Sequence, residues 1–402
     1  MVPVRCVLSE GLFLDYERAM GKWRFGVRGC RQWALGAIVV ATGSCALPSI
    51  HRDGAQGSGQ NGSKTLDGGA DAAVSDAGPD TLDASGSEDN PELDPANRNE
   101  DFSTFESLLP TEHRFAEWPM PDEAPQSKFK PSYSATATVI TDNVTKLRWQ
   151  RVMPKTYPGC TGRYDYVGRL HPVGSGCSWE DAKAYCQRPE LAEQLGGGEW
   201  RLPTKIELES IVNVSRVNAV DPLFDDFPID KVWTATPINN PDGLKLAWAI
   251  DFTAGYSMDS ARFSAGRARC VSSPVAKGGN LPNYDLHSFN TVRDLNTQLE
   301  WQSVVDSTTR SWTEALAYCE SLELEGGGWR LPLLKELLTL IDPSRRHAAV
   351  FRKAFPLTQN ELFWTASEAL DERNAVFQVD FGIGGSGFGG TPKDKHFARC
   401  VR

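Results

Sequence analysis

The chain has 402 residues, a formal net charge of −10 and nine cysteines. Its length allows two or three domains. Residues 46–101 carry 12 acidic and three basic side chains, so the remainder is close to neutral. It lacks the basic face that general nucleic-acid binding needs, and no nucleic-acid partner is expected.

Residues 1–45 read as an N-terminal extension and export signal. Arg24, Arg28 and Arg31 precede the short apolar run 33–41 (WALGAIVVA), and Gly43, Ser44 and Cys45 follow it. This is the basic, apolar, small-residue order of a secretory signal. The run is shorter than the roughly 18 apolar residues of a spanning helix. Glu10, Asp15 and Glu17 suit such a signal badly, and Met20 fits better as its start. The small-small-Cys ending resembles a bacterial lipobox, with Thr42 where Leu, Val or Ile is usual. It implies cleavage before Cys45, lipidation of Cys45 and attachment to a membrane through that lipid. Ala46 then points, by analogy, to the outer membrane or cell surface of a Gram-negative bacterium.

Residues 46–100 are an acidic Gly/Asp/Ser-rich linker with almost no large apolar side chains. Such a segment buries too little to offset the entropy of ordering and is expected as a disordered tether, extended by its like charges. Residues 101–134 place Phe102, Phe105, Phe115 and Trp118 among prolines. They predict an irregular lead-in packed on the first module.

Beyond this point six blocks recur in the same order. TDNVTKLRWQ (141–150) matches RDLNTQLEWQ (293–302), and SWEDAKAYC (178–186) matches SWTEALAYC (311–319). GGGEWRLPTKIEL (196–208) matches GGGWRLPLLKEL (326–337), and VWTAT (232–236) matches FWTAS (363–367). AWAIDFTAG (247–255) matches AVFQVDFGIG (375–384), and both copies close on ARCV. Two tandem modules follow, 135–272 and 287–402, joined by a linker at 273–286. Cys186 and Cys270 lie 84 positions apart, and Cys319 and Cys400 lie 81 apart, which predicts one disulfide in each copy. Closing loops of that length removes about 4–5 kcal/mol of unfolded-state freedom. The first copy has 19 extra residues between its Trp-Gln and its Ser-Trp. A third disulfide, Cys160–Cys177, is the economical way to close that insertion, and it leaves Cys45 for lipid.

Within a module the opening block predicts a strand and turn with a buried tryptophan. Ser178 and Ser311 are helix N-caps, each with an acidic residue three positions on. Trp179, Ala182, Tyr185 and Cys186 mark one buried helical face. A second helix begins after Pro203 or Pro332, and short strands follow. The class is α+β, each module having two helices and a short-stranded antiparallel sheet.

Together, W-Q, W-x-x-A-x-x-Y-C, W-R-L-P-x-x-x-E-L, W-T-A-T/S and R-C-V resemble the Lcl C-terminal domain family. The same skeleton is similar to the wider C-type lectin-like fold, in which a helix cysteine bonds one on the final strand. It is also similar to the formylglycine-generating enzyme family. In the collagen-like protein that names the first family, the domain is implicated in surface attachment and in binding sulfated polysaccharide. The resemblance therefore implies a cell-envelope binding protein for adhesion or for a glycan or anionic polysaccharide. The alternatives are a structural lipoprotein subunit of an envelope assembly and, lower, a formylglycine-generating-type enzyme.

Enzyme chemistry finds little support in the residues. None of the six histidines occupies equivalent positions in the two copies, and HExxH, GxSxG and phosphate-loop motifs are absent. No catalytic residue, metal or cofactor is expected. The calcium-dependent lectin runs E-P-N and Q-P-D are missing too; Pro241-Asp242 follows Asn240. Arg201 with Glu207 and Arg330 with Glu336 read as ion pairs fixing a turn, and Trp149, Trp200, Trp301 and Trp329 as core. The insertion supplies the candidate ligand residues: Tyr157, Tyr164 and Tyr166 as non-core aromatic faces, with Arg163 and Arg169. Residues 382–396 read as a mobile, Gly-rich surface loop, with Lys393, Lys395 and His396 as anion candidates.

Overall fold

A computed structural model describes residues 114–402 apart from 163, 165–169, 225–230, 241–242, 274–281, 287, 344, 346–348 and 371–374. The export signal, Cys45 and the acidic tether lie outside the described residues.

The first module opens with β1 (Tyr133–Ala135), β2 (Val139–Asp142) and β3 (Arg148–Gln150). These form a four-stranded antiparallel sheet completed by β7 (Val271–Ser272), in the order β1-β2-β3-β7. Trp149 sits opposite Ile140 on one side and Val271 on the other, fully buried. The turn between β2 and β3 is closed by Asp142, whose carboxylate accepts from the Val144 and Thr145 N–H groups.

Three helices follow: α1 (Trp179–Cys186), α2 (Pro189–Gln194) and α3 (Lys205–Ser210). Ser178 Oγ caps α1 by accepting from Asp181 N–H, and the buried face is Trp179, Ala182, Tyr185 and Cys186. The short α2 goes beyond the two helices the sequence predicts; it begins on a proline, which has no N–H to leave unsatisfied there. The antiparallel strands β4 (Lys231–Ile238), β5 (Leu246–Asp251) and β6 (Tyr256–Ala261) then form a second sheet.

The second module repeats this plan with β8 (Tyr284–Asp285), β9 (Thr291–Asp294) and β10 (Leu299–Gln302) in one sheet. Helices α4 (Trp312–Glu320) and α5 (Leu334–Leu338) follow, then the sheet β11 (Leu362–Glu368), β12 (Val376–Asp380) and β13 (Gly385–Gly390). The chain is thus α+β, with few helices and several small antiparallel sheets.

All three expected cysteine pairs are bonded: Cys160–Cys177, Cys186–Cys270 and Cys319–Cys400. The last two tie α1 and α4 to the closing segment of their own module. Three disulfides in one chain belong to an oxidising compartment and mark an extracellular or periplasmic protein. Among the described residues no helix is long and apolar enough to cross a membrane.

The modules and the lead-in from Arg114 belong to one compact unit. Ala116, Trp118 and Met120 of the lead-in join the first module's core around Trp149. Lys335 of α5 is buried where the parts meet; its amine contacts the Pro121 carbonyl and lies 3.4 Å from the Ser210 carbonyl and 3.8 Å from Asp122. Burial pulls its pKa down, opposed by Asp122 and Asp142.

The expectation of a mobile loop at 382–396 is corrected: Gly385–Gly390 is strand β13. It lies against the first module, where a Cβ on Gly385 would stand 3.3 Å from two ring carbons of Trp248. Gly385 there serves close packing between modules.

Candidate functional site

The repeated motifs resolve into scaffold. Arg201 donates two hydrogen bonds to Glu207 at 2.6 and 2.7 Å, and Arg330 makes the same fork to Glu336 at 2.7 Å. The same carboxylates accept from the Thr204 and Leu333 N–H groups at the starts of α3 and α5. The Trp-Gln glutamines hold the disulfide end of the module: Gln150 bonds Tyr185 Oη and accepts from Cys270 N–H, and Gln302 does the same with Tyr318 and Cys400. In W-T-A-T/S the first Thr donates to a carbonyl across the strand pair, and the second hydroxyl accepts from the first N–H of the Leu-Pro helix. Trp149, Trp200, Trp301 and Trp329 are all buried.

The arginine of R-C-V is a structural residue that sequence reasoning left unassigned. Arg399 is fully buried; its guanidinium donates to the Gln302 and Ser303 carbonyls and to Thr358 Oγ1. Burial brings its pKa down to about 9. Arg269 grips the Gln150 and Arg151 carbonyls in the same way. The available signal was its presence before the cysteine in both copies.

The insertion of the first module is anchored at both ends. Thr161 donates through its N–H and its hydroxyl to Asp181 at 2.8 and 2.6 Å. Partial burial works against the Asp181 carboxylate, yet these bonds hold its pKa below the usual range. Gly162 is bridged to Gly176, and the Tyr164 carbonyl accepts from Ala265 N–H at 2.5 Å.

Tyr157 requires a correction. It is 1% exposed, its hydroxyl donates to the Ala268 carbonyl at 3.1 Å, and its ring stands edge-on to Tyr185. Burial pushes its phenol up to about 12. Its ring is used to seat the insertion, so no face remains for a ligand. Tyr164 is 52% exposed, with Leu170 across an antiparallel bridge at 64%, Val173 at 63% and Phe263, two residues before Ala265, at 71%. Leu170, Val173 and Phe263 were missed because each is a lone apolar residue in a polar stretch. Arg163, Tyr166 and Arg169 lie outside the described residues.

Lys393 and Lys395 are both exposed in the second module. The Lys395 amine pairs with Glu314, and this ion pair, with the bonds from Ser311, lowers the Glu314 carboxyl to about 2. Lys395 is therefore already partnered by an anion of its own chain. His396 stands edge-on to Trp364 at 4.5 Å, and burial lowers its pKa. Among the described residues, the exposed candidates Tyr164, Lys393 and Lys395 belong to different modules. Among the described residues no group of three or more His, Cys, Asp or Glu is placed to hold a metal ion.

Two copies of one disulfide-closed α+β module, each gripped by a buried arginine, define a tandem-domain exported protein. The model of the Lcl C-terminal domain matches the chain twice, over residues 138–272 and 290–402, and the chain belongs to that family. The match indicates no enzymatic family. No curated protein matches the chain.

Proposed function

We propose that this is a cell-surface binding protein that holds a saccharide or anionic polysaccharide on the insertion of its first module. The observation that carries this reading is the exposed set Tyr164, Leu170 and Val173 on the disulfide-closed loop, with exposed Phe263 two residues before Ala265, which bonds the Tyr164 carbonyl, in a module whose motif residues are engaged by the fold. Ligand sites sit on loops supported by such scaffolds. Aromatic faces stack on sugar rings, Arg163 and Arg169 bring positive charge, and the Cys160–Cys177 bond lowers the entropy lost on binding. A lipid on Cys45 and the acidic tether would hold the modules away from a membrane. The lectin-like likeness of the skeleton supports the same ligand class by analogy.

A glycan array including sulfated polysaccharides, probed with the full chain, tests the reading. The variant Arg163→Ala/Tyr164→Ala/Tyr166→Ala should lose about tenfold or more in affinity, while its melting temperature stays near wild type because surface changes cost within about 0.5 kcal/mol each. An unchanged affinity would show the insertion to be a bystander.

A further inference from the structure

The two copies serve as controls for each other at one position. In the first module, Cys177 is bridged to Gly266, and the insertion lies over that bridge. Gly162 is held so close there that a Cβ would meet Cys177 C at 2.6 Å and Ala265 Cα at 3.0 Å. The Tyr164 carbonyl takes the Ala265 N–H. In the second module the equivalent bridge is Arg310 to His396, so Thr309 corresponds to Gly176 and Lys395 to Ala265. The insertion has no counterpart there. A cleft of about 520 Å³ opens instead, lined in part by Thr309, Gln359, Glu361, Leu362, Lys395 and His396.

Backbone groups at that edge are left over. Among the described residues no acceptor meets the Lys395 N–H, the equivalent of the one that Tyr164 satisfies, and neither backbone group of Thr309 is hydrogen-bonded. Gln359 Oε1 is buried without a partner beside them. Unpaired main-chain groups along a cleft recruit an extended peptide, which supplies carbonyls and N–H groups in register.

We infer that the second module binds an extended, glycine-containing segment of a partner protein along Thr309 and Lys395, in the position that Gly162 and Tyr164 of the insertion fill in the first module. Recognition is through the main chain. Glycine is needed where the segment crosses the Arg310–His396 bridge, as Gly162 is in the first module. This inference does not rest on saccharide binding by the insertion.

The probe is a fluorescein-labelled linear peptide with the sequence of residues 158–168 and Cys160→Ser, added to the full chain. Saturable binding is expected, with the Lys395 and Thr309 amide resonances the most strongly shifted in ¹⁵N spectra of the wild type. Replacing the peptide's Gly162 equivalent by Val should weaken binding at least about tenfold. Lys395→Pro, which removes the N–H, should do the same, and Lys393→Ala should not. No saturable binding, shifts mapping elsewhere, or equal affinity for the Val peptide would overturn the inference. Displacement of the peptide by heparin without amide shifts at 309 and 395 would assign the binding to the insertion and overturn it too.

Discussion

At the scale of single residues, the second module shows how a buried cation is kept without a carboxylate. Arg399 spreads its charge over two carbonyls and a hydroxyl, which lets it cross the core and fix the end of β10. Glu314 is the opposite case, exposed yet strongly perturbed. Its carboxyl is lowered from 4.5 to about 2 by Lys395 and by the Ser311 N–H and hydroxyl. A depressed carboxyl stabilises the fold above its unfolded value, and that contribution is lost as the pH falls from about 4.5 toward 2. An NMR titration should therefore find Glu314 ionised down to about pH 2, and Lys395→Ala should move its midpoint up toward 4.5. A midpoint unmoved by that substitution would mean that the pair does not form. Tyr157 was misread at this scale for a simple reason: a tyrosine in an insertion looks exposed until its hydroxyl is found on the Ala268 carbonyl.

At the scale of elements, both modules bend their second sheet at an equivalent place. The register of β4 against β5 shifts between Trp233 and Pro237, and that of β11 against β12 shifts between Trp364 and Glu368. The bulge aims Thr236 and Ser367 at the start of α3 and α5, so W-T-A-T/S joins the sheet to the Leu-Pro helix. The turns after β5 and β12 each need a left-handed residue, Gly255 at φ +84° and Gly384 at φ +85°. A Cβ on Gly255 would also stand 2.8 Å from Val212 Cγ1 and 3.0 Å from Ala219 Cβ. Gly243 has φ +78° with nothing within 4 Å. Gly243→Ala should then cost only the conformational penalty, about 1–2 kcal/mol. Gly255→Ala adds overpacking and should cost about 2–5 kcal/mol in all. Urea denaturation of the two variants checks this, and equal losses would show that packing at Gly255 relaxes freely.

At the scale of the whole molecule, the modules meet through equivalent residues. Ser257 N–H donates to Ser386 Oγ and Ser386 N–H donates to Ser257 Oγ, both at 2.9 Å. The two serines occupy the same place in their copies, so the contact has the reciprocity of a two-fold homodimer interface built within one chain. Trp248 packs beside it on Gly385, and Lys205 lies 5.0 Å from the Trp248 ring while pairing with Glu209 at 2.5 Å. Burial raises the Glu209 carboxyl, with Lys205 opposing. With the hydroxyls 2.9 Å apart, Ser257→Cys/Ser386→Cys should yield an additional cross-link between positions 257 and 386 under oxidising conditions. Peptide mapping without reduction would detect it, and a cross-link found only in dimers would contradict the contact within one chain.

Repetition and covalent chemistry are legible along the chain. Six blocks in order, two similar cysteine spacings and two Ser caps specified tandem α+β modules, their disulfides and their core tryptophans, because each of these depends on short-range spacing or on matching one copy to the other. Tertiary structure alone decided what depends on contacts between distant segments. The segment Gly385–Gly390 pairs with β12 and packs on the first module, where Trp248, more than 130 positions earlier, crowds a Cβ at Gly385. Tyr157 entered the core because Ala268, 111 positions later, offers its carbonyl. The cleft beside Lys395 exists because the second copy lacks a loop that the first folds over itself. Nothing local in either stretch records these partners.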